Sequence, residues 1–296
     1  MMVREPIVAG RFYPADAERC RAEVRQRLDA APPFANGGSR PIAGLVPHAG
    51  WMCSGAVAAR VFRALSDAPA PQSIVLFGGV HCYRGRDAAI FAHGRWDTPL
   101  GPLEVDDRLA ERILGQTNLI ADDAYAHEEE HSLEVQLPFL RFLFPEARIV
   151  PLMVPAGKRS HEVGQAVGRT LSAYNYNAVI VGTTDLTHYG PHYGFVPHGV
   201  GAAANRWAKE VNDRGFLELV CSIQSEQVVD EAATKRNACS AGAVAATLAA
   251  AATLGATRGV LLDHTSSSEV LAGVRGEDFS DSVGYAGVLF LRDAAS

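Results

Sequence analysis

Four chemically capable side chains in this 296-residue chain stand just after short apolar runs. His48 follows "IAGLVP", His81 follows "SIVLFGGV", and Asp185 with His188 follow "NAVIVGTT" or lie a few residues beyond it. A neutral imidazole is the commonest protein ligand for transition metals. Two imidazoles plus one anionic group make a site with positions left open for water, oxygen or substrate. His48 and His81 supply the pair. The third ligand is a carboxylate or a thiolate, and Cys239 in "RNACSAGAVAATL" is the candidate thiol. It immediately precedes a long helical pattern, whose N-terminal N–H groups lower a thiol pKa, and Lys235 and Arg236 act in the same direction. A thiolate makes copper(I), zinc or iron(II) better partners than magnesium or calcium.

A second group of residues has two readings. In "HEEEHSLEVQLPFL", the three glutamates between His127 and His131 read as a solvated loop, with Ser132 capping a helix and Glu134 in its first turn. Alternatively, His131 and Glu134 point into the same crevice as groups that support the ligands or move protons. "THYGPHYGFVPH" carries His188, His192 and His198, but its Gly and Pro spacing fits no helical face. Only His188, nearest the strand end, is a candidate there, with Asp185 beside it. Each residue also has a plain structural role available: a loop histidine held by a hydrogen bond, or a cysteine serving as a small buried hydrophobe.

The elements that must position these groups are legible as apolar runs alternating with helical patterns. Strands are expected at Ile42–Val46, Ser73–Gly78, Arg148–Val154, Asn177–Gly182, Gly259–Asp263 and Gly284–Leu291. "SIVLFGG", "RIVPLMV", "NAVIVGT" and "RGVLLDH" are almost wholly apolar, as befits strands covered on both faces. Helices are expected at Ala15–Ala31, Gly55–Leu65, Asp106–Gln116, Ser132–Phe144, Lys158–Ala173, Gly201–Val220 and Ser240–Leu254, with loops at 31–40 and 264–282. The order predicts an α/β fold, one domain over residues 1–296, with a central mostly parallel or mixed sheet flanked by helices. In such sheets ligands collect beyond the carboxyl ends of the strands, where His48, His81 and Asp185 stand.

Composition narrows the function. A net charge of -6 offers no broad basic surface for nucleic acid or anionic lipid. The N-terminus lacks the charged and apolar regions of a signal peptide, and no window approaches a membrane span, so a cytoplasmic protein is expected. Five scattered cysteines without CxxC spacing argue against a disulfide framework. No GxSxG elbow or phosphate-binding GxxxxGK[ST] loop is present.

"GRFYPAD", "LVPHAGWMCSG", "GGVHCYRG", "EEEHSLEVQLPFL", "GTTDLTHYG" and "NACSAG", in that order, resemble the Memo family, in particular the members called AmmeMemoRadiSam system protein B. The resemblance runs from about residue 5 to residue 291. It implies the fold of the class III extradiol dioxygenase catalytic subunit, with His48, His81 and Cys239 as metal ligands. It also implies His188 as the counterpart of the dioxygenases' acid/base histidine, Asp185 beside it, and His131 lining the crevice. After the cysteine the family commonly continues with glycine and then proline, whereas this chain reads Ser240-Ala241-Gly242-Ala243.

These residues lead to a redox-active protein binding iron(II) or copper, with zinc as a further option, active toward oxygen; the resemblance implies an association with a radical SAM system. A thiolate beside an oxygen-activating iron is itself oxidisable, which disfavours true ring cleavage. Metal-assisted hydrolysis would use the same residues, with His188 or Glu134 as base. A non-catalytic module binding a small molecule or peptide is the remaining alternative, so whether the chain is an enzyme stays open here. A phosphotyrosine peptide would need clustered arginines, and the crevice motifs offer only Arg84 and Arg86.

Overall fold

Ile74 and Leu76 pack on one side of their strand while Val75 and Phe77 pack on the other, and all four are fully buried. That pattern makes the run central to a sheet covered on both faces. The computed structural model describes residues 2–35, 37–82, 85, 87–275 and 280–293.

In chain order the strands are β1 (Val3–Arg4), β2 (Arg40–Val46), β3 (Ser73–Gly78), β4 (Ala88–Ile90), β5 (Arg95–Trp96), β6 (Leu103–Glu104), β7 (Ile120–Asp122), β8 (Arg148–Met153), β9 (Ala178–Thr183), β10 (His188–Tyr189), β11 (Arg258–Ser266) and β12 (Ser282–Arg292). The α-helices are α1 (Ala17–Ala30), α2 (Trp51–Ser66), α3 (Asp107–Leu114), α4 (Leu137–Leu143), α5 (Ser160–Ala173), α6 (Ala202–Trp207), α7 (Arg214–Cys221), α8 (Val228–Lys235), α9 (Ala241–Thr253) and α10 (Ser267–Arg275). The main sheet runs β10-β12-β2-β9-β3-β8-β4-β7, with β11 on β12, and β1, β5 and β6 form a small sheet of their own. At its centre β2, β9, β3 and β8 are mutually parallel, while β12 and β4 join them antiparallel. The fold is therefore α/β with a mixed sheet. Residues of α1, α2 and α4 cover one face, and residues of α3, α5, α7, α8 and α9 the other. Among the described residues no helix is long and apolar enough to cross a membrane.

Two glycines let the alanine-rich α9 lie close to its neighbours. A Cβ on Gly182 of β9 would fall 1.9 Å from Thr247 Oγ1, and one on Gly164 of α5 would fall 2.0 Å from the Ala246 carbonyl oxygen. Small residues on all three surfaces permit that contact.

Three expectations are corrected. The "RGVLLDH" strand belongs to β11, which is antiparallel to β12 and half-exposed rather than covered on both faces; Leu261 is 42% exposed. The expected loop at 264–282 instead continues β11 to Ser266 and then forms α10, where the Glu269 N–H meets Ser266 Oγ at 3.4 Å and Glu269 sits in the first turn. The helix expected from Ser132 starts as a 3-10 turn at Glu134–Gln136 and becomes α-helical only at Leu137, where Pro138 suits a first helical turn.

Candidate metal centre

Because β2, β9 and β3 are parallel neighbours, their carboxyl ends lie along one rim of the sheet. His48 and Asp185 each lie two residues past their strands, and His81 lies three past its own. Cys239 stands two residues ahead of α9, and His131 comes from the segment between two 3-10 turns, Tyr125–His127 and Glu134–Gln136.

The rim brings together His48, His81 and His131, which each offer one ligand atom within 4.8 Å of the others. Their ring centroids are 5.1 Å (His48 to His81), 5.5 Å (His48 to His131) and 4.6 Å (His81 to His131) apart. Cys239 Sγ lies 3.2 Å from His48 Nε2. The outward ring nitrogens are already engaged. His48 Nδ1 bonds Thr183 Oγ1 at 2.8 Å, and His81 Nδ1 bonds Glu130 Oε1 at 2.9 Å. Nε2 of each ring is therefore left facing the centre, which is how metal-ligating histidines are usually oriented.

The charges are tightly coupled. Burial opposes ionisation of Cys239, but the adjacent His48 outweighs it and holds the thiol well below its ordinary range. Burial likewise works against His48 and His81, yet the thiolate raises both, and with Glu130 it carries His81 up to about 10. Glu130 is held down to about 2: burial resists, and His81 with two backbone N–H donors prevails. His131 is pushed down to about 4 by burial and by the charges of His48 and His81, so it stays neutral at neutral pH. The pull on the thiol comes from His48 rather than from Arg236. That guanidinium lies over the Phe195 ring and donates to the carbonyls of Tyr193 and Gly194.

Asp185 is buried and braces the site: its Oδ1 accepts the His48 N–H at 2.8 Å, and its own N–H donates to Cys239 Sγ at 3.3 Å. His188 is not part of the imidazole cluster; its Nδ1 bonds the Leu186 carbonyl and its ring packs edge-on against Tyr193. Glu134 is committed elsewhere. Its carboxylate pairs with Arg4 and accepts from Ile7 N–H, Val8 N–H and Tyr13 Oη, tying down the N-terminal segment. Arg84 and Arg86 lie outside the described residues. The glutamate run is not wholly solvated, since Glu128 and Glu129 are exposed but Glu130 is fully buried. Ser132 does not cap a helix either; its Oγ accepts the Gly79 N–H at 3.1 Å.

Sequence reasoning missed Glu130, Thr183 and Phe12, whose ring stands edge-on to His131 at 5.2 Å. Thr183 had a usable signal, being the last residue of an apolar strand whose neighbours carry the chemistry. Glu130 had none to separate it from Glu128 and Glu129.

The family model described as Memo-like protein matches residues 4–289. The chain belongs to the Memo-like family. A MEMO1 family protein of Methanopyrus kandleri is 34% identical, over 98% of this chain and 100% of its own length. Relatives of the same description from Pyrobaculum arsenaticum and Pyrococcus furiosus are each 33% identical, over 99% and 91% of this chain and 100% and 94% of theirs. The family identity thus covers the segments that carry the three imidazoles and the thiol.

Proposed function

We propose that this Memo-like protein binds a redox-active transition metal, iron(II) or copper, through His48, His81 and Cys239, with His131 beside them. The observation that carries the reading is the convergence of these donors. Three imidazoles from separate segments offer ligand atoms within 4.8 Å of one another, and the sulfur lies 3.2 Å from His48 Nε2. The donor set fits such an ion, because nitrogen and thiolate sulfur favour iron(II), copper or zinc over hard cations. When bound, iron(II) or copper supplies one-electron chemistry with room for a small molecule such as oxygen, whereas zinc supplies only a Lewis acid.

The chain's own residues have separable tasks. Thr183 and Glu130 fix the ring planes of His48 and His81, and the Glu130 carboxylate keeps a proton on His81 Nδ1. Asp185 holds the His48 backbone and the sulfur in one frame. His131, neutral and packed under Phe12, is available as a further ligand or as the group that takes a proton from a bound substrate.

The test is elemental analysis of protein purified anaerobically under reducing conditions, beside His48→Ala and Cys239→Ser. Stoichiometric iron or copper in the parent protein, lost in both variants, is the expected result. The same trace metal in all three, or stoichiometric zinc under every growth condition, overturns the proposal.

A further inference from the structure

The helical run from α6 to α7 is interrupted by a π-turn over Ala208–Asp213. Such turns are rare, and inserted ones recur at functional sites. Here the turn ends in Asn212 and Asp213, consecutive residues that are 5% and 1% exposed, and both reach the same threonine. Asp213 Oδ1 accepts the Thr187 N–H at 2.9 Å, and Asn212 Nδ2 donates to Thr187 Oγ1 at 3.0 Å. Asn212 Nδ2 also donates to the Lys235 carbonyl, and the Asn212 carbonyl accepts from Asn237 Nδ2, each at 3.0 Å.

These partners lie on the two segments that meet at the sulfur. Thr187 is two residues beyond Asp185, whose carboxylate takes the His48 N–H and whose carbonyl takes the Cys239 N–H at 3.1 Å. Lys235 and Asn237 lead directly into Cys239. The far wall of the clamp is β12: the Leu186 N–H donates to the Gly284 carbonyl at 2.8 Å, and the Gly284 N–H donates to the Thr187 carbonyl at 3.0 Å. A Cβ on Gly284 would fall 2.1 Å from Asp213 Oδ2, so glycine leaves the carboxylate its space. That same oxygen faces His264 Nε2 at 3.2 Å, which completes its hydrogen bonding.

We infer that Asn212 and Asp213 are positioning residues that set the approach of Cys239 to His48 by clamping the Asp185–Thr187 loop and the Lys235–Asn237 segment to one π-turn. A purely structural pair would change only the stability of the fold. A positioning pair also changes the surroundings of the sulfur while a thiol outside the clamped segments stays as it was.

Iodoacetamide alkylation of the full-length, metal-free protein separates the two roles. The rate at Cys239 is read against the exposed Cys82 in the parent, Asn212→Ala, Thr187→Val and Thr187→Ser proteins. Thr187→Val keeps the shape but removes the hydroxyl that Asn212 reaches, whereas Thr187→Ser retains it. Losing that bond is expected to change the Cys239-to-Cys82 ratio by about five-fold in Asn212→Ala and Thr187→Val, with the parent ratio kept in Thr187→Ser. An unchanged ratio in folded Thr187→Val overturns the inference. A second arm, which rests on the metal reading, is the sulfur-to-cobalt charge-transfer absorption of the cobalt(II)-loaded protein, expected to weaken in Thr187→Val. Its absence from the parent protein would refute the metal reading, while the alkylation ratios would still decide the role of the π-turn.

Discussion

Glu130 and Glu134 are four residues apart, both buried, and both accept several hydrogen bonds, yet their carboxylates serve different parts of the protein. Glu130 faces the imidazoles. Replacing it with Gln keeps its volume but removes the charge that orients His81, and partners of this kind typically contribute 10–100-fold to metal affinity. A competition titration with a chelator is therefore expected to show a loss of about ten-fold or more in Glu130→Gln, with the protein still folded. Glu134 faces the N-terminal segment. Glu134→Ala strands the Arg4 guanidinium, only 4% exposed, and is expected to cost about 3–5 kcal/mol in a urea titration. Glu134→Gln, by contrast, should leave metal content unchanged. Neither role was visible beforehand. Three glutamates in a row look alike in a sequence, and which one is buried depends on backbone turns set by Gly79, Ser132 and the 3-10 segments.

At the scale of elements, the reading succeeded where both faces of a segment are covered and weakened toward the edges. β3 was bounded correctly because every residue of it is buried, so its apolar run begins and ends with the strand. β11 shares that apolar look but lies at the rim of the sheet, where composition says nothing about strand direction. The serines after β11 read as a loop, although serine also begins helices. The π-turn has no sequence signature, since a single inserted residue leaves the helical pattern of Gly201–Val220 nearly intact. The close contact between α5 and α9, in contrast, rests on small residues of both helices. It yields an element-scale expectation: Gly164→Val drives side-chain carbons into the Ala246 backbone, lowering stability by about 3 kcal/mol and the thermal midpoint accordingly.

For the whole molecule, acid tolerance depends on two histidines whose pKa values burial lowers, His131 within the imidazole cluster and His127 outside it. His127 is fully buried, and burial, aided by the Arg4 charge, pushes its pKa down to about 3 from an ordinary 6.5. Between those values the unfolded chain carries a proton there that the folded chain refuses, so stability falls as the pH drops through that window. Glu130, held down to about 2, loses its contribution only as the pH falls from 4.5 toward 2, and would do so with or without His127. On moving from neutral pH to about 4.5, the parent protein is expected to lose about 2 kcal/mol more than His127→Asn, measured as urea midpoints at both conditions. Equal losses would place the acid sensitivity elsewhere. The N-terminal stretch has a practical bearing as well. Arg4, Ile7, Val8 and Tyr13 are anchored on Glu134, and Phe12 between them leans on His131. Trimming the first dozen residues to tidy an expression clone would strip one wall from around the imidazoles, and an affinity handle is better carried at the opposite terminus.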